Sequence, residues 1–555
     1  MVKYKAPLRE YELILREVLD IEKELGSYPE YSEATWDMIE MVSEQFAKIN
    51  EDYWLPSAKE GDEVGVKFDN GNVIVPDSMK EATKIVIEGG LTQLFGHQEY
   101  GGMEFPNVIS VLSDEMSCAA NMSLGIYLGL TKGAYHCIHK HGSEEIRQRY
   151  LPKFLSGEWF GTMCLTEAHC GTDLGLIRTT ATPDGDKYSV SGQKIFISCG
   201  EHDMAENIIH LVLARLPDAP KGVKGISLFL IPKYKVNEDG TLGDHNNVNC
   251  VSIEEKMGVH GSATCVMSFE DSEGYLIGEL NEGLAAMFSM MNTERIAVGL
   301  QGLGQAEIAY QNALAYAKDR IQGRDLKGPK NPDDEADPLI VHPDIRRMLM
   351  RSKALIDSGR MLASWTALSI DKSEKDPDAK VRKEHNDLVE LMTPIIKALL
   401  TDYGVEITSE MMQVFGGHGY IKEYGMEQFY RDVRIAPIWE GTNGIQALDL
   451  AGRKMPQHMG RLLRRFFHPA LEFIDDNKDD DNMKEFVEPF GKALKGLQKT
   501  TLYMAQKGLS NPYEIGAAAT DYLRQFGLVA MGYMWLLMLK VAYAKKDTDS
   551  YYEHK

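Results

Sequence analysis

The hydrophobic period of this chain changes twice, and that alternation restricts its fold more than any other feature. Up to about residue 159, apolar residues recur at helical spacing, broken by glycines and by a proline- and tyrosine-rich turn around Tyr28 and Tyr31. From Phe160 to about Ile277 the period shortens. Ile208-Ile-His-Leu-Val-Leu-Ala-Arg215 and Gly225-Ile-Ser-Leu-Phe-Leu-Ile231 are strand-length and rich in β-branched residues, with Asp184-Gly185-Asp186 and Asn237-Glu-Asp-Gly240 as turns between strands. After Asn292 helical faces return. Ile296, Leu300, Leu303, Tyr310, Leu314 and Ala317 form one, and Ile345, Met348, Leu349, Leu355, Ile356 and Leu362 form another. Apolar stripes of this kind need neighbours to cover them, which implies a bundle. The pattern predicts a multidomain α+β chain: an N-terminal helical domain over 1–159, a middle β-barrel domain over 160–280, a C-terminal helical bundle over 281–455, and an additional helical domain over 456–555.

Charge and cysteine usage narrow the function classes. Asp and Glu outnumber Lys and Arg by 83 to 60, a formal charge of -23, so phosphate backbones and anionic bilayers are repelled and nucleic acid is not an expected partner. The seven cysteines include no Cys-x-x-Cys pair and read as buried thiols in a reducing compartment, with no structural zinc. No apolar signal core or arginine-rich transit pattern opens the chain, so the expected location is a bacterial cytoplasm. The longest apolar run, 525–539 between Arg524 and Lys540, is shorter than the ~20 residues that span a bilayer and reads as a buried helix rather than an integral membrane segment. The acidic run 475–481 reads as a solvated loop, and the Pro- and Asp-rich stretch 325–344 as an ordered surface loop.

One carboxylate stands out. In Ile438-Trp439-Glu440-Gly441-Thr442, Glu440 lies between an aromatic ring and a glycine in an otherwise apolar setting. A glutamate held that way loses hydration, its proton affinity rises, and it becomes a candidate general base; the bland alternative is a loop carboxylate ahead of a helix cap at Thr442.

Four strings in order carry a resemblance: Met163-Cys-Leu-Thr-Glu-Ala-His-Cys-Gly-Thr-Asp173, Gly192-Gln-Lys-Ile-Phe-Ile-Ser198, Gln413-Val-Phe-Gly-Gly-His-Gly-Tyr420, and Tyr430-Arg-Asp-Val-Arg434 followed by Trp439-Glu-Gly-Thr442. Over roughly 134–454 the sequence resembles the acyl-CoA dehydrogenase flavoenzymes. The resemblance implies α,β-dehydrogenation of an acyl-CoA thioester to a 2-enoyl-CoA, with FAD as cofactor and Glu440 as the base. It places Met163, Leu165 and Thr166 along the flavin ring, Phe196 and Ser198 on the ring's other side, and Arg320 at the FAD pyrophosphate. Gln413, Phe415, Gly416 and Gly417 match a turn that reaches the adenosine half of FAD in a neighbouring subunit, which implies a homo-oligomer, dimer or tetramer. Thr172 lies near flavin and acyl chain, Thr442 beside the flavin, and Gly441, with Glu440, at the thioester. Asn292 and Arg295 fall where the family contacts the CoA arm, although Arg295 reads equally well as an internal salt-bridge partner. An electron-transfer flavoprotein is the implied electron acceptor. An acyl-CoA oxidase that admits oxygen is the nearest alternative, and a catalytically silent acyl-CoA-binding scaffold is another.

Departures from the family pattern are specific. Thr166-Glu167-Ala168 replaces the common Thr-Glu-Pro, His169-Cys170 replaces two small residues, and Gly444 stands where many relatives carry glutamine. The layout, with its helical C-terminal extension, is similar to bacterial members that oxidise short- to medium-chain acyl-CoA, some of them the thioether 3-methylmercaptopropionyl-CoA. A thioether and a methylene fill similar apolar volumes, so patterning does not separate the two.

Overall fold

The computed structural model describes residues 2–555, apart from the side chains of residues 292, 293 and 554. The chain forms two compact units: one of residues 1–47, 106–119 and 295–555, the other of residues 48–105 and 120–294.

The β-rich unit is built on a seven-stranded sheet comprising β1 (Trp159–Cys164), β2 (Thr180–Asp184), β3 (Lys187–Ser198), β4 (Asn207–Ala214), β5 (Ser227–Pro232), β6 (Val248–Ile253) and β7 (Thr264–Ile277). Neighbours run β1-β4-β5-β7-β3-β2, with β6 on the other part of β7. The first and last strands of that path do not pair among the described residues, so the strand pairings do not trace the closed barrel the sequence suggested, although an isolated parallel bridge joins Thr180 of β2 to Arg215 just past β4. Strand β7 is shared: Tyr275, Leu276 and Ile277 pair with β5, Thr264 to Gly274 with β3, and Cys265 to Phe269 with β6. A register shift between Phe269 and Ser272, with Asp271 at φ +54°, falls where the pairing with β6 ends and the pairing with β3 continues. Strands β1, β4 and β5 are buried along their whole length, which explains why they read as continuous apolar runs rather than alternating ones. Among the described residues all seven cysteines are buried and none forms a disulfide. A two-residue turn joins a small hairpin, Lys67–Asp69 with Asn72–Ile74, inside the segment expected to be wholly helical.

Helix α1 (Asn107–His141) crosses from the first unit to the second, bending at Asn121, whose φ and ψ leave the helical region. Helix α2 (Glu144–Leu155) starts at Ser143, whose hydroxyl accepts the Ile146 N–H. Helix α3 (Gly283–Asp319) crosses back.

In the helical unit α3 lies against α4 (Pro343–Lys375) and α5 (Ala379–Val414). The expected apolar faces are there: Ile296, Leu300, Leu303 and Ala317 are buried on α3, and Met348, Leu349, Ile356 and Leu362 on α4. Backbone contact is close at the α3–α5 crossing, where a Cβ on Gly302 would lie 2.3 Å from the Leu400 carbonyl oxygen and one on Gly404 would lie 2.7 Å from the Gly302 Cα. The loop between α3 and α4 is ordered by Asp337, whose buried carboxylate accepts the N–H groups of Asp325, Lys330 and Asn331.

Past α6 (Met426–Val433) and α7 (Asn443–Asp449), the chain adds α8 (Arg461–Asn477), α9 (Lys484–Ser510) and α10 (Pro512–Lys545). Three of the seven residues of the acidic run belong to α8, which continues through Asp475 and Asp476 to Asn477, so the solvated turn is shorter than expected. The apolar run 525–539 lies within α10, a 34-residue helix long and apolar enough to cross a membrane by length and composition. In this structure α10 packs on α4, α5, α7 and α9, with Phe526 set against Phe466 and Phe467.

Candidate active site

In the β-rich unit the chain leaves β1 at Cys164 and runs as Leu165, Thr166 and Glu167 alongside β3. The Thr166 carbonyl accepts the Ile195 N–H at 2.9 Å, and Lys194 Nζ donates to the Leu165 carbonyl at 3.0 Å and to Glu167 Oε1 at 2.9 Å. Glu167 also accepts the N–H groups of Arg178 and Thr179 and the Thr179 hydroxyl. Burial opposes ionisation of Glu167, but Lys194 and these donors outweigh it and hold the carboxyl below its ordinary range. Glu167, His169 and Cys170 bring potential metal-ligand atoms within 4.8 Å of one another, yet both Glu167 oxygens are already taken by this network.

On β3, Phe196 has φ +58° and is 59% exposed, an aromatic ring held outward by a backbone conformation that non-glycine residues seldom adopt. Met163 is buried at the end of β1; Leu165, Thr166 and Ser198 are half-buried; Thr172 is exposed. A flat heteroaromatic ring system needs an apolar plate and nearby hydroxyls, and this unit offers both in Phe196 and in Thr166 and Ser198.

In the helical unit Arg320 is exposed just past the end of α3. The turn after α5 lies beside it: the Phe415 ring stacks on Tyr316 of α3 at 4.1 Å between centroids, and the Tyr316 hydroxyl lies 2.7 Å from His418 Nδ1. Phe415 therefore uses its ring in internal packing rather than as an open contact surface. Gln413, Gly416 and Gly417 are exposed; Gly416 has φ +58°, and a Cβ at either glycine would meet open space. An accessible arginine and an uncrowded glycine pair suit a pyrophosphate-linked nucleotide.

Glu440 follows α6 in an irregular turn and adopts φ +54°, with Gly441 at +82°. The turn is fastened from ahead. Gln446, on α7 and fully buried, donates its amide to the Glu440 carbonyl at 3.2 Å and to the Gly441 carbonyl at 3.1 Å. Thr442 is the N-cap of α7, accepting the Ile445 N–H at 3.4 Å, so the capping role is real and coexists with any other. Glu440 is half-buried, and burial pushes its carboxyl above the ordinary glutamate range against the opposing pull of Arg295 and Lys397.

The setting of Glu440 is thus less apolar than its sequence neighbours suggest, since two cations from distant helices face it. Arg295 is buried, and its guanidinium lies 3.9 Å from Asp449 and within Coulombic reach of Glu440. The contact with Asp449 is the internal ion pair that the sequence left open beside a place on the CoA arm. Asn292, expected on the CoA arm, falls outside the described side chains. Lys397, Gln446 and Asn443 were not singled out from the sequence. Only Lys397 left a signal, a lone charge inside Ile395-Ile-Lys-Ala-Leu-Leu400.

Comparison with known proteins agrees with this geometry. The acyl-CoA dehydrogenase N-terminal domain matches residues 37–158, the middle domain 162–272 and the C-terminal domain 281–455, and an acetyl-CoA dehydrogenase C-terminal-like domain matches 466–555. The chain belongs to the acyl-CoA dehydrogenase family, and it is an enzyme, an oxidoreductase acting on CH–CH bonds of acyl-CoA. It is 43% identical over 463 residues to 3-methylmercaptopropionyl-CoA dehydrogenase of Ruegeria pomeroyi, covering 82% of this chain and 78% of the relative. It is 35% identical over 569 residues to a butyryl-CoA dehydrogenase of Syntrophomonas wolfei, covering 99% and 92%. Among solved structures, Caenorhabditis elegans ACDH-11 in complex with C11-CoA shares the fold with a TM-score of 0.79 at 19% identity, over 97% of this chain and 88% of that one. Butyryl-CoA dehydrogenase of Megasphaera elsdenii matches with a TM-score of 0.60 at 27% identity, over 74% and 97%.

Proposed function

We propose that this chain oxidises a short- to medium-chain acyl-CoA to its 2-enoyl-CoA with Glu440 as the base, and that 3-methylmercaptopropionyl-CoA is the first substrate to test. The family membership fixes FAD as the cofactor; when bound, it supplies the hydride acceptor that no side chain provides. The residues that would hold it are Met163, Leu165, Thr166, Phe196 and Ser198 on the β-rich unit and Arg320, Gly416 and Gly417 on the helical unit.

The observation that carries the reading is the state of Glu440. Its carboxyl has a raised proton affinity, suited to accepting an α proton from a thioester, while its backbone is held by Gln446 in a left-handed conformation that fixes where the turn presents it. The Glu440 backbone N–H is the candidate donor to the thioester carbonyl, where enolate-like charge develops. The thioether preference is supported by the identity to the Ruegeria enzyme, and the straight-chain one by the Syntrophomonas enzymes. The exposed turn Gly416–Gly417, followed by Tyr420 at 82% exposure, supports a homo-oligomer in which it meets a neighbouring subunit. An electron-transfer flavoprotein is the proposed acceptor of the electrons.

Purified yellow protein mixed anaerobically with a panel of acyl-CoAs tests this directly. Bleaching is expected with a fitting acyl-CoA, and Glu440→Gln is expected to keep the flavin while slowing bleaching by about two orders of magnitude or more. A Glu440→Gln enzyme that bleaches at the normal rate removes the base assignment, and rapid peroxide formation in air replaces the dehydrogenase by an oxidase.

A further inference from the structure

Lys397 is the most expensively placed charge near the catalytic turn. It sits on α5 with 0% exposure, and among the described residues its hydrogen-bond partner is Asn443 Oδ1, at 2.8 Å. An ammonium carries three donors and loses several kcal/mol of hydration when enclosed, whereas a methionine fills the same volume without that cost. Packing alone therefore does not account for a lysine here.

Its surroundings supply a reason. Asn443 is the first residue of α7, and its side chain is fully engaged: its two amide hydrogens are shared among the Ala398 carbonyl, the Thr401 hydroxyl and Asp402 Oδ1, at 3.1, 2.9 and 2.7 Å, while its oxygen accepts from Lys397. Only Gly441 and Thr442 separate Asn443 from Glu440, so whatever fixes Asn443 fixes the origin of the catalytic turn. Two cations act on the Glu440 carboxylate, Arg295 of α3 and Lys397 of α5. Arg295 is itself faced by Asp449 of α7 and by Arg453 just beyond it, and Lys397 by Asp402 of α5, which in turn faces Glu406 and Arg524.

We propose that Lys397 is a positioning residue for Glu440: its ammonium anchors Asn443 and thereby the start of α7, and its charge favours the ionised carboxylate. The proposal rests on the reading of Glu440 as the base. Burial pulls Lys397 down to about 7, against Glu440 and Asp402.

Two variants and two readouts test it. In Lys397→Met, the acid limb of the flavin-reduction rate against pH is expected to move up by about one pH unit, with FAD still bound. In Asn443→Ala, which keeps the charge and loses the anchor, the rate is expected to fall about tenfold with the limb in place. The second readout needs no substrate. A lysine with a depressed folded-state pKa makes stability rise with pH from about 7 to about 10.4, because only the unfolded chain still holds that proton. This rise in urea unfolding is expected in the wild type and is expected to shrink in Lys397→Met. Should that variant fail to fold, Lys397→Gln, a neutral donor to Asn443, carries the same test. An unmoved acid limb in the lysine variant overturns the proposal. A Glu440→Gln enzyme that bleaches normally overturns instead the base reading beneath it.

Discussion

At the scale of single residues, the proposed reaction depends on a carboxylate whose backbone is left-handed. Glu440 at φ +54° and Gly441 at +82° form a pair in which only the second is a glycine, so the first carries strain that Gln446 holds in place. A Cβ on Gly441 would lie 2.8 Å from Gln446 Nε2, against the group that fastens the turn. Gly441→Ala is therefore expected to displace Glu440 and slow anaerobic flavin bleaching about tenfold or more with FAD retained; an unchanged rate in stopped flow would mean that the turn tolerates a shift. The pH dependence has a definite sign. As the proposed base, Glu440 works ionised, and burial raises its proton affinity, so bleaching is expected to be full at higher pH and to fall as pH drops through a pKa above the ordinary glutamate value of ~4.3. A limb at or below that value in a rate profile contradicts the raised affinity. Glu440 was legible in the sequence because Trp439-Glu-Gly-Thr442 is contiguous, whereas Arg295 and Lys397 reach it from α3 and α5 and no local pattern records such a meeting.

At the scale of elements, the alternation of helix, strand and helix was readable because continuous apolar runs and 3.6-residue stripes are local properties. The sharing of β7 among three partner strands was not, because pairing between sequence-distant strands leaves no local pattern. The same limit hid the Lys194–Glu167 pair. The two residues belong to separate motifs, and their meeting is what ties the loop after β1 to β3. Lys194 is wholly buried and Glu167 nearly so, which makes breaking the pair far costlier than the pair is worth. Lys194→Met is expected to destabilise the protein by about 3–5 kcal/mol, while Lys194→Met with Glu167→Gln recovers most of the loss. The single variant is also expected to release FAD more readily, since the Leu165 carbonyl loses its donor. Urea unfolding and flavin fluorescence follow the two effects separately; a single variant as stable as the wild type would show that the buried carboxylate had simply taken up a proton.

At the scale of the whole molecule, the helical unit gathers sequence-distant segments around one buried guanidinium. Arg360 of α4, at 0% exposure, donates to Glu115 of α1 through Nε at 2.8 Å and Nη2 at 2.5 Å, to Glu307 of α3 at 2.7 Å and to Asp357 of α4 at 3.2 Å. The Tyr11 hydroxyl donates to Glu115 as well, and Asp357 accepts from Lys353 and from Lys555 at the far end of the chain. Hydrophobic patterning could not announce this centre, since each member reads alone as a surface charge on an amphipathic helix. Burial alone would protonate Glu307, and Arg360 reverses that by holding its carboxyl below the usual range. The sign follows: a depressed carboxylate contributes stability above its unfolded value of ~4.3, and that contribution is lost as pH falls through its lower folded value. Arg360→Met leaves Glu115 and Glu307 enclosed without their cation, so it is expected to cost about 3–5 kcal/mol at neutral pH. Because those acids can then escape their burden only by binding protons, the loss is expected to narrow as pH is lowered toward 5. Urea melts of both proteins across that range decide the matter. A constant difference would mean that the arginine acts through packing volume, whereas a shrinking one identifies its charge as what joins the N-terminal segment, α1, α3 and α4.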